Sequence, residues 1–175
     1  MFINKMKSLK IIPFLLVFFA VPLSENLVQA GEVNPKNYKV LSNNKNLSIA
    51  NVEYYLKEGD EFVKNGDFDE AKDSYLDARK LAKQLASFYS DLNSSFKGID
   101  ARIPNEMQRK GRETLQILAE TNGRLASLYL KTEKPEVAVP LLVETIRIMS
   151  PNSPEGKEAY ERLIQLGFVE TKYKG

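Results

Sequence analysis

The sequence predicts an all-α chain built from antiparallel helix pairs. From Asn51 to Gly167 apolar residues recur at steps of three and four. Gly, Pro and Asn punctuate that pattern, as helix ends require. No stretch reads as a strand.

Val52, Tyr55, Leu56, Gly59, Phe62 and Val63 form one stripe of a first amphipathic helix. Lys64-Asn65-Gly66-Asp67 stops it: Gly66 tolerates the left-handed conformation, and Asp67 is suited to cap the next helix. A second helix follows, with a stripe running from Phe68 through Tyr75, Ala82 and Leu92 to Phe96 at near-heptad spacing. At 1.5 Å per residue it spans roughly 40 Å. Gly98 ends it, Ile99–Ile103 is a loop, and Pro104 suits the first turn of a third helix. Met107, Gly111, Thr114, Leu118, Thr121, Leu125 and Leu128 repeat the spacing up to about Leu130. Leu81–Phe96 against Met107–Ala119 reads as an extended central hairpin. Pro135 opens a fourth helix, with Val139, Leu142, Val143, Ile146 and Met149 facing one way and Pro140 favouring a kink. Ser153-Pro154-Glu155 is a cap, a first-turn Pro and a first-turn acid, so a last short helix carries Ala159, Tyr160, Leu163 and Ile164. It serves as a capping helix, and residues 168–175 are a frayed tail.

The N-terminus reads as a cleavable export signal over residues 1–30. Lys5, Lys7 and Lys10 precede the apolar run Ile11–Val21, and Val28-Gln29-Ala30 fits a cut after Ala30. The run is too short for a membrane span, which needs about 20 residues. The expected location is the periplasm, a thylakoid lumen or the cell exterior. Residues 31–50, rich in Asn and poor in apolar side chains, read as a disordered tether.

Composition narrows the chemistry. There is no Cys, His or Trp, which removes thiol nucleophiles, His-based triads and His/Cys zinc sites. Of 25 basic and 23 acidic residues, three and one fall in residues 1–30, leaving 22 of each. A neutral mature domain does not suit nucleic acid. No cofactor or metal is expected.

Between Tyr54 and Ala78 the chain reads YYLKEGDEFVKNGDFDEAKDSYLDA, and this resembles the tetratricopeptide repeat, a helix pair of about 34 residues. Tyr55, Gly59, Phe62, Ala71, Tyr75 and Ala78 stand at its pattern positions. A weaker copy holds Ala126, Tyr129 and Ala138. Gly59 and Ala71 are twelve residues apart, as are Ala126 and Ala138, so each small pair is expected to face across its helix pair. Glu58, Asn122 and Thr145 depart from the pattern.

The resemblance implies a non-catalytic module that binds a protein partner in a concave face lined by the first helix of each pair. Carried over by match, that face holds Glu53, Leu56, Asp60, Val63, Lys64, Ser127, Leu130 and Lys131. A basic patch of Arg102, Arg109, Lys110 and Arg112 lies near the hairpin tip, with Glu106 and Glu113 placed as helical partners. A structural subunit in peripheral contact with a membrane complex is the alternative expectation. A carboxylate-based hydrolase is the remote one, since acids clustered at helix starts ordinarily complement the helix dipole.

Overall fold

A computed structural model describes residues 47–174. The expected signal and most of the expected tether lie outside the described residues. Five helices follow one another: α1 Ile49–Asn65, α2 Phe68–Ser95, α3 Arg102–Lys131, α4 Pro135–Met149 and α5 Pro154–Gln165. Among the described residues there is no strand, and the class is all-α.

Local chemistry sets most of the ends. Ser48 Oγ accepts a hydrogen bond from the Asn51 N–H at 3.2 Å, so α1 starts inside the segment expected to be tether. Leu47 and Ile49 pack against the core. Two apolar anchors and a serine cap outweigh the polar composition there. Gly66 ends α1 at φ 88°, as its position suggested. Asp67, expected to cap α2, makes no side-chain cap bond; its backbone N–H instead donates to Phe62 O. Ser153 does cap α5, accepting from Gly156 N–H at 2.9 Å.

Each helix packs mainly on its neighbours in the chain, and α1 also touches α3 and α3 touches α5. Short turns make neighbours antiparallel, so α1, α3 and α5 run the same way along one side of the array. Small residues let the pairs close up: Ala71, Ala78, Ala126 and Ala138 are fully buried. Gly59 is buried against α2, and the Tyr75 ring lies 2.5 Å from where a Cβ would be. The missing side chain makes room for an aromatic ring.

One further expectation changes. On α4 the buried face is Ala138, Leu141, Leu142 and Thr145, while Val143 is 45% exposed, because α4 is held between α3 and α5 and turns a different edge inward. Residues 168–173, in the segment expected as a frayed tail, make contacts back to the last helix. Phe168 N–H donates to Leu163 O, Tyr160 OH donates to Thr171 O at 2.7 Å, and the Tyr160 and Tyr173 rings meet edge to face.

Helix lengths shape the rest. α2 and α3 have 28 and 30 residues, against 17 and 15 for α1 and α4. About ten residues of each long helix therefore project beyond their neighbours, roughly 15 Å. Full burial on the α2 stripe stops at Leu85, Tyr89 still packs partly on the core, and Leu92 beyond it is 43% exposed.

Candidate functional site

Where the faces of α1, α3 and α5 converge, an open groove of about 630 Å³ forms. Its walls come from Val63 on α1, from Glu120, Arg124, Ser127 and Lys131 on α3, and from Glu155, Glu158 and Arg162 on α5. Gly123 lies among them, and a Cβ there would meet nothing within 4 Å. The groove is therefore open at Gly123, where the middle helix carries no side chain.

Its polar groups are cross-braced. Tyr75 OH donates to Asp60 Oδ1 at 2.6 Å, and Arg124 Nε donates to the same oxygen at 3.0 Å. Arg124 also pairs with Glu120 at 2.7 Å. Burial opposes the Arg124 charge, but Glu120 and Asp60 outweigh it and hold the guanidinium above its ordinary value. Burial, then the bond to Asp60, holds the Tyr75 phenol above the ordinary tyrosine range. On the opposite wall Arg162 donates to Ser127 Oγ at 2.8 Å and pairs with Glu158 at 2.7 Å. Lys131 lies over the Phe68 ring, 4.7 Å from its centroid. The result is a surface of mixed charge whose side chains are already held in place.

Of the eight residues expected on the concave face, Val63, Ser127 and Lys131 line the groove, and Asp60 anchors its wall through Arg124. Leu56 is a correction: it is 4% exposed and belongs to the core, because the helix turns that position toward its neighbours. Leu130 is likewise half-buried against the core. Glu53 and Lys64 are exposed and do not line the groove; Lys64 pairs with Glu61 at 2.6 Å. Arg124, Glu158 and Arg162 were not anticipated. The spacing Glu120–Arg124 and Glu158–Arg162, each i,i+4, was the available signal, but it does not say which way a helix faces.

The basic patch is largely neutralised. Arg102 pairs with Asp100 at 2.6 Å, Lys110 with Glu106 at 2.8 Å, and Arg109 with Glu113 at 3.8 Å. Arg112 is exposed and in no ion pair among the described residues.

The departures from the repeat pattern fall on polar links or satisfied polar groups. Glu58 accepts from Ser74 Oγ at 3.1 Å, tying α1 to α2. Asn122 is fully buried and accepts from Arg79 Nε at 2.8 Å while donating to Glu144 at 3.1 Å, which joins α2, α3 and α4. Glu144 also binds Arg79 at 2.5 Å and Lys83 at 2.7 Å. Burial pushes its carboxyl up, but the bonds from Lys83 and Arg79 prevail and hold it at about 2. Thr145 satisfies itself, donating to Leu141 O at 3.0 Å.

Fold and groove define an all-α array of antiparallel helices with an open groove of mixed polar and apolar lining. No family model matches the chain, and no curated protein matches it. Among the described residues no helix is long and apolar enough to cross a membrane.

Proposed function

We propose that this protein is a non-catalytic, tetratricopeptide-type scaffold that holds an extended segment of a partner protein in the groove between α1, α3 and α5. The observation that carries this reading is the open groove with Gly123 in its floor and no side chain to fill it. A concave face with pre-positioned side chains lowers the entropy lost on binding. Its acids Glu120 and Glu158 are tied to arginines, which favours recognition over proton transfer. Export through a signal cut after Ala30 belongs to the same reading and rests on residues 5–30 of the sequence.

Gly123→Leu tests it. The new side chain enters empty space, so the fold is kept and the groove is filled. Affinity capture with the chain and with the Gly123→Leu variant should show a partner lost in the variant. Arg109→Glu with Arg112→Glu, placed on the hairpin, should leave capture intact. A partner retained by Gly123→Leu but lost on the hairpin reversal moves the binding surface to the hairpin and defeats the groove.

A further inference from the structure

The charges that line the groove between α1, α3 and α5 are not all matched. Glu120 is held by Arg124, and Glu158 by Arg162. Glu155 and Lys131 line the same groove, and neither is in an ion pair among the described residues. Lys131 lies over the Phe68 ring, which attracts a cation but carries no counter-charge. An acid in the first turn of a helix ordinarily complements the dipole, but Glu155 also forms part of the groove wall. The two unmatched charges sit toward opposite ends. The bond from Arg162 to Ser127 sets α5 and α3 level at those residues. Glu155 lies seven residues before Arg162, and Lys131 lies four residues after Ser127. The two helices run the same way, so the charges are about 16 Å apart along the groove at 1.5 Å per residue. An extended chain covers that distance in about five residues.

We infer that the groove selects an extended peptide segment of mixed charge, with a Lys or Arg seated against Glu155 and an Asp or Glu, about five residues away, seated against Lys131. The inference rests on the groove being the binding surface and adds which kind of segment fills it. The pairs Glu120–Arg124 and Glu158–Arg162 already cancel, so the two free charges decide the match. A segment with two acids would set one of them against Glu155. A segment with two bases would set one against Lys131. Either meets repulsion at one end, and only opposite charges meet attraction at both. Between the ends the lining includes Ala119, Gly123 and Ala159, which suits small or apolar side chains in the middle of the segment.

Fluorescence anisotropy with three labelled, end-blocked peptides tests it. Each has a Ser and Ala background and two charges about five residues apart: Lys with Asp, Lys with Lys, or Asp with Asp. At low salt the mixed peptide should bind with a Kd below about 1 mM. It should bind about fivefold more tightly than either like-charged peptide, and about 0.5 M salt should bring the three within about twofold. Lys131→Glu should move the preference to the peptide with two Lys, and Glu155→Lys to the peptide with two Asp, each by about fivefold. Lys131→Gln and Glu155→Gln, gentler changes, should each erase the discrimination at one end. An unchanged far-UV circular dichroism spectrum confirms that each variant folds. Binding that ignores peptide charge yet is lost in Gly123→Leu keeps the groove and overturns the charge selection. Binding that survives Gly123→Leu overturns both, because the segment then lies elsewhere. No binding of any peptide at about 1 mM, or a parent chain that prefers a like-charged peptide, also overturns the selection.

Discussion

Replacing Glu144 by Gln removes one negative charge from a cluster that joins three helices. The side chain of Glu144 is 11% exposed and faces Arg79 and Lys83, at 26% and 43%. An ordinary glutamate sits at 4.5, whereas this carboxyl is held at about 2. The gap corresponds to about 3 kcal/mol. Solvent reaches both cations, and screening reduces the contribution to about 1–2 kcal/mol. Because the folded value is the lower one, this stability is present above the unfolded value and is lost as pH falls toward 2. Thermal melts followed by circular dichroism should give Glu144→Gln a Tm roughly 4–8 °C below the parent at pH 7. At pH 2.5 about three-quarters of that difference should be gone, since by then the unfolded carboxyl is protonated and the folded one only partly so. A Tm difference of the same size at both pH values would show that Glu144 acts through shape or packing, and the electrostatic account would be wrong.

Two glycine substitutions should move stability in opposite directions. Gly59→Ala forces a Cβ to within 2.5 Å of the Tyr75 ring, and overpacking of about 1–3 kcal/mol exceeds the helix-propensity gain of about 1. Gly123→Ala meets open space and should gain up to about 1 kcal/mol; urea melts of both variants read the two signs. In an alkaline absorbance titration Tyr75 should ionise above the ordinary tyrosine value of 10. The unfolded phenol gives up its proton first, so stability declines as pH climbs past 10, and Tyr75→Phe should remove that decline.

The helices were legible because burial imposes a period on the sequence. The α3 stripe of Met107, Thr114, Leu118, Thr121, Leu125 and Leu128 is buried as the spacing implied. The same rule misled at the end of α2. Leu92 fits the stripe as well as Leu85 does, yet one is open and the other closed, because α1 is too short to reach it. On α4 the periodicity allowed more than one apolar edge, and packing between α3 and α5 chose Leu141 over Val143. Of the groove, Val63, Ser127 and Lys131 were anticipated by resemblance. The braces that hold it were not, since Asp60–Arg124 and Ser127–Arg162 link residues 64 and 35 apart in sequence.

By itself the sequence determined that the described part of this protein is all-α, where its helices begin and end within a few residues, and which chemistries its composition leaves out. Those properties come from local propensity, capping and the spacing of apolar residues, which act within a few turns of chain. Only the tertiary structure decided that Gly59 accommodates Tyr75, that Asn122 and Glu144 join three helices, that the faces of α1, α3 and α5 line a groove, and that the far end of α2 leaves Leu92 exposed. Each depends on which elements meet and how far they extend past one another, and no local window of sequence contains both sides of such a contact.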